Sequence, residues 1–333
     1  MYILAFESSC DETSASIVEM SEETRTIKSN IVASQVATHA LYGGVVPEIA
    51  SRAHIEAISA ITYEALEKAG LTLADISAVA VTNEPGLIGA VLVGVNFAKS
   101  LAYANGLPII PVNHIKAHVA AAYLDQPALK PPFLALVVSG GHTSLFKVST
   151  YTDYVEIGAT RDDAAGESFD KVGRVMGLPY PGGAAMDRLA SEGDAKAIRF
   201  PSPAIPGENL DFSFSGLKTA VINYIHNAEQ KGTEFSRADV AASFTATVCG
   251  GITDKLGTAL KATGMTRVVM AGGVAANSHL RAAVTKLCAK HKADLFIPPL
   301  SLCGDNGAMV GSQGYYEFLN GNVGDESLNG YPS

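Results

Sequence analysis

Tryptophan is missing from this sequence of 333 residues, and cysteine is scarce. The four cysteines, Cys10, Cys249, Cys288 and Cys303, lie far apart with no CxxC pair. That excludes a disulfide framework and a cysteine-built zinc site, and it suits a reducing cytosol. No apolar run reaches the roughly 18 residues that a membrane helix needs. The opening MYILAFESS lacks a basic flank and leads straight into a strand-like run, so no signal peptide is expected and the chain is read as cytoplasmic. Positive charge is in deficit, with 24 Lys and Arg against 33 Asp and Glu, a net charge of −9. Composition alone therefore predicts no DNA or RNA partner, and any RNA contact needs a local basic patch or a helper protein.

What is present is a soluble-type composition, 47% hydrophobic and 17% charged, in a chain long enough for two lobes with buried cores. Two segments share a layout. ILAFESSCDETSASIVEM (3–20) and FLALVVSGGHTSLFKVST (133–150) are each an apolar strand run, a tight turn rich in small hydroxyl residues, and a second alternating run. One such hairpin per half predicts a duplicated chain. Between them IEAISAITYEALEKAGL (55–71) predicts an amphipathic helix, ISAVAVTNEPG (76–86) a strand, and LIGAVLVGVNFAKSLAYANG (87–106) a buried helix. In the second half MTRVVMAGGVAANSHLRAAVTKLCAKH (265–291) reads as strand, Gly-rich turn and helix, ADLFIPP (293–299) as a strand, and GDNGAMVGSQGYYEFL (304–319) as a closing helix. Alternating strands and helices predict an α/β fold with mixed sheets covered on both faces. The break KPP sets the expected lobes at 1–131 and 132–320, with a helical, Gly/Pro-punctuated insertion at about 160–245 and a tail at 321–333.

Chemistry is concentrated at turns. In HIKAH, His114 and His118 are four apart after the apolar PIIPV and the N-cap candidate Asn113. On a helix they share a face and could reach one ion, or they could be two half-buried histidines of an Ala-rich helix. A zincin metalloprotease needs Glu directly after the first His, and here that residue is Ile115. Asp305 opens the last predicted helix, where an Asp caps amides as readily as it binds an ion. If it faces the pair, two imidazoles and a carboxylate suit iron(II), or zinc with an open position. Gly272 and Gly273 before Asn277, and the tip SGGHT (139–143), allow close backbone approach to a ring or phosphate, as many αβ corners do. ESSCDET (7–13) adds Asp11 and Glu12, either solvated turn acids or groups that bind metal or activate a nucleophile. Three such tips facing one cleft would make a nucleotide site.

FESSCDET, GGVVPEIASRAH, HIKAH, VVSGGHT, DDAAGESFDKVGRVMGLPYPGG, FSFSGLK, AGGVAAN and GDNGAM stand in the order and spacing of one family. From residue 1 to about 320 the chain resembles the TsaD family, the bacterial branch of the universal tRNA N6-adenosine threonylcarbamoyltransferases. The resemblance implies the duplicated two-lobed fold of actin, Hsp70 and sugar kinases (ASKHA). It also implies transfer of a threonylcarbamoyl group from threonylcarbamoyl-AMP to N6 of adenosine 37 in the tRNA anticodon loop. It places one divalent metal, usually iron with zinc or magnesium as alternatives, on His114, His118 and Asp305. Substrate-binding positions fall on Val137, Val138, Ser139, Gly140, Gly141, Asp170, Gly183, Asp187 and Asn277. Archaeal relatives carry Tyr where Val137 stands, so a fourth protein ligand is not matched here.

An exocyclic adenine amine is a poor nucleophile, so the implied reaction needs an activated carbamoyl–phosphate anhydride. A cation would stabilise charge developing on the oxyanion or the leaving phosphate, helped by the Gly140 and Gly141 amides. Asp11 or Glu12 would accept the amine proton, and the base in a single-stranded loop costs little to expose. The implied partners, TsaB and TsaE, offer an answer to the charge of −9 by helping to position RNA; TsaB pairs through helices of the first lobe. Two alternatives remain at this level: a small-molecule kinase or ATPase of the same fold, and a scaffold subunit without chemistry. Ser213, Lys218, Glu48, Arg52 and His54 lie in family motifs with no role assigned from sequence.

Overall fold

The apolar run Tyr2–Glu7 (β1) is buried along nearly its whole length, as a central strand covered on both faces must be. The computed structural model describes residues 1–332. They divide into two compact units: the first holds Met1–Pro131, Ser149–Asp153 and the chain from Pro298 onward, the second Pro132–Val148 and Tyr154–Ile297. The closing helix thus belongs with the first unit, where the sequence reading set it in a second lobe of 132–320.

In the first unit β1 pairs antiparallel with β2 (Glu12–Met20), which pairs antiparallel with β3 (Arg25–Ser34). Helices α1 (Val36–Ala40) and α2 (Pro47–Ala69) follow, then β4 (Ala78–Glu84), α3 (Ile88–Asn105), β5 (Ile109–Asn113) and α4 (His114–Asp125). The sheet order is β3-β2-β1-β4-β5, with β4 and β5 parallel to β1. The second unit repeats this. β6 (Phe133–Val138) pairs antiparallel with β7 (Thr143–Val148), β7 with β8 (Tyr154–Ala159), and β9 (Arg267–Ala271) and β10 (Asp294–Phe296) join in parallel. The order β8-β7-β6-β9-β10 is that of the first sheet, strand for strand. Its helices are α5 (Ala165–Val175), α6 (Gly182–Ala190), α7 (Ser215–Lys231), α8 (Arg237–Thr263) and α9 (Ser278–His291); α10 (Gly307–Leu319) closes the chain back in the first unit.

On one face of the first sheet Leu4, Phe6, Ile17 and Val81 pack with Ile58, Ile61, Val91 and Val95 of α2 and α3. The other face receives α10, whose glycines let it lie unusually close. A Cβ on Gly307 would stand 2.9 Å from Ala5 O and from Ser16 N, and one on Gly311 would stand 2.7 Å from Val18 Cγ2. Neither backbone nor a packed valine can yield there, so the position of α10 on β1 and β2 is fixed from the sequence. A further tie is the Ser312 hydroxyl, which donates to Ala120 O of α4 at 2.8 Å. None of the helices among the described residues is long and apolar enough to cross a membrane.

Candidate metal centre and substrate loops

Asn113 ends β5 and caps α4: its Oδ1 accepts from Ile115 N at 3.0 Å and Lys116 N at 3.2 Å. That makes His114 the first helical residue and puts His118 one turn on, both buried, with ring centroids 4.6 Å apart. At the other end of the chain the cap of α10 is Asn306, whose Oδ1 accepts from Met309 N at 3.0 Å. Asp305 does not cap the helix; its Oδ1 lies 3.2 Å from His118 Nε2 and 3.7 Å from His114 Nε2. The potential ligand atoms of the three residues all fall within 4.8 Å of one another. Bonds of about 2.1 Å to one ion give ligand–ligand edges of about 3.0–3.4 Å, so the two Asp305 edges are already near that range, and no pair is farther apart than 4.8 Å. Both ring nitrogens of His118 are buried and make no hydrogen bond, although Nε2 has Asp305 at hydrogen-bonding distance. The two atoms are near but not aimed at each other, as expected of groups directed at a common third point. The residues therefore fit a divalent ion.

Glu7 stands behind His114. Its Oε2 is 3.0 Å from His114 Nδ1 and accepts the Thr82 hydroxyl at 2.7 Å, while Oε1 accepts the Ser9 amide at 2.6 Å. Burial raises the Glu7 carboxyl, but the facing His114 charge and hydrogen bond outweigh it and hold it below the ordinary carboxylate range. Burial likewise pulls the His114 ring down, and Glu7 and then Asp305 push it the other way, to about 9. That environment favours the imidazolium form of the ring at neutral pH.

The acids Asp11 and Glu12 are not solvated tip residues. Asp11 is buried, and its carbonyl accepts from Gln35 N at 3.0 Å. Burial, with the charges of Asp305 and Asp11 added, raises Glu12 to about 9. The turn is held from α2 by His54, which bonds the Cys10 carbonyl through Nε2 at 2.9 Å and Thr13 Oγ1 through Nδ1 at 2.7 Å. His54 is therefore an internal support, while Glu48 and Arg52 form an exposed pair on the same helix at 2.8 Å.

The substrate-binding candidates all lie in the second unit. Val137 and Val138 are central β6 residues with fully buried side chains, so only backbone is available at these two positions. Ser139 turns the tip, its Oγ accepting from His142 N at 3.1 Å. A Cβ on Gly140, Gly141 or Gly183 would meet nothing within 4 Å, which leaves room for a ligand. Asp170 caps α6, accepting from Gly182 N at 2.7 Å. Asp187 of α6 accepts from Ser278 N and Oγ, both at 3.0 Å, and Asn277 caps α9 through Leu280 N at 2.9 Å. Gly272 has a φ of 94°, and a Cβ there would come within 2.4 Å of Val138 O, so the turn entering this region requires glycine. In FSFSGLK the work is structural: Asp162 accepts from Phe214 N at 2.8 Å, and Lys218 pairs with Asp163.

Sequence reasoning missed Glu7. The one signal available was its place at the end of an apolar strand, and the neighbouring Asp11 and Glu12 drew the assignment instead.

A profile of the family described as "TsaD: tRNA N6-adenosine threonylcarbamoyltransferase" matches residues 26–312. Over 331 residues the chain is 50% identical to the tRNA N6-adenosine threonylcarbamoyltransferase of Clostridium botulinum (strain 657 / Type Ba4), covering 99% of this chain and 96% of that protein. It is also 50% identical to the protein of that name from Clostridium perfringens (strain SM101 / Type A), covering 99% and 97%. Among solved structures, component A of the (R)-2-hydroxyglutaryl-CoA dehydratase of Acidaminococcus fermentans superposes with a TM-score of 0.56 at 16% identity, covering 96% of this chain and 98% of that one. Such a distant likeness speaks to fold alone, the duplicated ASKHA fold. The chain belongs to the TsaD family of tRNA N6-adenosine threonylcarbamoyltransferases.

Proposed function

We propose that the chain performs its family's transfer of a threonylcarbamoyl group to N6 of adenosine in tRNA with a divalent ion held by His114, His118 and Asp305. The observation that carries this reading is the approach of both Nε2 atoms to one Asp305 oxygen, with the three residues' ligand atoms within 4.8 Å of one another and His118 otherwise unbonded. Two imidazoles and one carboxylate with open positions suit iron(II) best, with zinc or magnesium as alternatives. Bound there, the ion would act as a Lewis acid toward the carbamoyl oxygen or the leaving phosphate.

The chain's own residues supply the rest. The donor is threonylcarbamoyl-AMP and the acceptor adenosine 37. In the second unit, Ser139 and the tip amides of Gly140 and Gly141 would suit anionic oxygens of a donor. The open surroundings of Gly140, Gly141 and Gly183 support a ligand at these loops. Asp187, Asp170 and Asn277 set the geometry of α6 and α9 and so shape the same region, besides any direct contact. Burial first, and the charges of Asp305 and Asp11 after it, keep the proton on Glu12. Positive charge at the three ligands would offset the Asp305 contribution, and Glu12, or Asp11 beside it, would then be the group to accept the proton of the adenine amine.

An acidic chain needs help with RNA, and α2 and α3 offer a surface for it. Ile55, Ile58, Leu92, Val93 and Phe97 line a groove of about 500 Å³ between the two helices, and Ile55 is 63% exposed. This supports pairing with a TsaB partner, with TsaE completing a cytoplasmic assembly.

A reconstituted reaction with threonylcarbamoyl-AMP, unmodified tRNA and the partner proteins tests the reading. His114→Ala is expected to abolish product. Equal product from wild type and variant would overturn it.

A further inference from the structure

The reaction described above leaves Glu7 without a task. Its side chain is completely buried, and a buried carboxylate is costly to keep unless its surroundings require it. Three donors meet its two oxygens: the Ser9 amide, the Thr82 hydroxyl and His114 Nδ1. Only an acceptor-only group satisfies all three, and among uncharged side chains of that size none does. The Ser9 amide and the Thr82 hydroxyl fix the carboxylate, and the carboxylate, nearer to Nδ1 at 3.0 Å than the Ser9 hydroxyl at 3.2 Å, in turn fixes the ring.

An imidazole that donates through Nδ1 presents its lone pair at Nε2. In His114 Nε2 is the atom near Asp305, at 3.7 Å. His118 has no comparable support, since neither of its ring nitrogens is hydrogen-bonded. We infer that Glu7 is the positioning residue of the ion site, fixing the ring and tautomer of His114 so that Nε2 faces the ion and making His114 the anchoring ligand. The inference rests on the ion-site reading of the proposed function. It extends that reading to a residue outside the ligand set, in the way outer carboxylates orient ligating histidines elsewhere.

The test is a titration of the ion-free full-length protein with Co²⁺, followed by its visible absorption and by competition with a chelator. Wild type is expected to take up one Co²⁺. Glu7→Gln sets an amide NH₂ against one of the three donors, and the Co²⁺ dissociation constant is expected to rise about 10- to 100-fold with a changed absorption envelope. Thr13→Val serves as the control: it removes the 2.7 Å bond to His54 in the same hairpin without touching the ion set, and its Co²⁺ affinity is expected to match wild type. Unchanged affinity in Glu7→Gln, or an equal loss in Thr13→Val, overturns the inference. Should Glu7→Gln fail to fold, long-range ¹H–¹⁵N spectra of the Zn²⁺-loaded wild type decide the question. A proton on His114 Nδ1 with Zn²⁺ on Nε2 is expected, and the reverse arrangement refutes it. No Co²⁺ uptake by wild type would sink the ion-site reading itself, and the inference with it.

Discussion

Loading an ion onto His114 should expel a proton at neutral pH, and the structure sets how much. The buried ring sits opposite Glu7 and near Asp305, and its pKa stands at about 9 against an ordinary 6.5. At pH 7.5 such a ring is about 97% protonated, whereas an unperturbed one is only about 10% protonated. Binding at Nε2 must displace that proton, so about one H⁺ leaves per ion. Glu12, raised to about 9, also holds its proton, and a cation beside Asp305 favours its release, so the total lies between one and two. From pH 7 to 8.5 the dissociation constant should then fall by at least about 20-fold, close to tenfold per pH unit while the ring is fully protonated and less steeply as pH nears 9. The stability of the ion-free protein should move the other way. The contribution of a raised histidine is complete below its unfolded value of 6.5 and is lost as pH rises through about 9. The assay is calorimetric titration of the ion-free protein at pH 7.5 in two buffers of different ionisation enthalpy, which counts the protons released. Release of only about 0.1 H⁺ per ion, with an affinity flat above pH 7, would refute the argument.

Four further outcomes follow from the same geometry. His118→Ala removes a ligand whose nitrogens have no other partner, so the metal content of purified protein and product formation should both fall to background while the fold persists by circular dichroism. Glu12→Gln should stabilise the ion-free protein at pH 7 by up to about 3 kcal/mol in denaturant unfolding, because a carboxyl held at about 9 costs stability as pH rises from 4.5, and product formation should drop at the same time. Gly307→Ala forces a Cβ to within 2.9 Å of Ala5 O and Ser16 N, so unfolding should show a loss of about 1–3 kcal/mol and Co²⁺ titration a weaker site, since Asp305 lies two residues away. Asp187→Ala deletes the acceptor of Ser278 N and Oγ at the start of α9, and should cost about 1 kcal/mol in thermal unfolding with metal content unchanged.

The parts legible in the sequence are those where local pattern and final environment agree. The two hairpins carry continuous apolar runs, and both became β1–β2 and β6–β7 at the centre of their sheets. The outer strands were not legible. β3 has the sequence RTIKSNIVAS, in which Ser29 is buried while Val32 is exposed on an edge, and β8 is likewise half-exposed. The amphipathic run that starts at residue 55 and the polar helical stretch carrying Glu48, Arg52 and His54 are one helix, α2, which begins at Pro47 and turns Ala50 and His54 inward. The last helix was read from Gly304, and Asn306 takes the cap instead, which leaves the Asp305 carboxylate for the histidines. Nothing in the spacing of an Asp-Asn pair distinguishes the two outcomes; the Gly307 amide bonding the Ser14 hydroxyl at 2.8 Å helps decide it, and that bond spans 293 residues. Glu7 was hidden for a similar reason. Its partners Thr82 and His114 are 75 and 107 residues away, beyond any local pattern.

The electrostatics around the ion position show why this place needs so many acids. His114 is the first residue of α4, and Asp305 immediately precedes the cap of α10. Two helix N-termini therefore meet there, each equivalent to about half a positive charge, an arrangement that by itself repels a cation and attracts an anion. Glu7, with its bond to His114, and Asp305 offset the two dipoles, and the raised Glu12 is the cost of packing one more carboxyl into the same neighbourhood. Once an ion neutralises these acids, the helix ends are no longer compensated. With one proton expelled, the loaded site should favour anionic oxygens at its open positions, as the proposed anhydride donor and its phosphate leaving group require. A divalent ion that expels one proton raises the charge of the site by one unit, and release of the Glu12 proton as well would cancel that gain, so the acids set how far loading changes the affinity for anions.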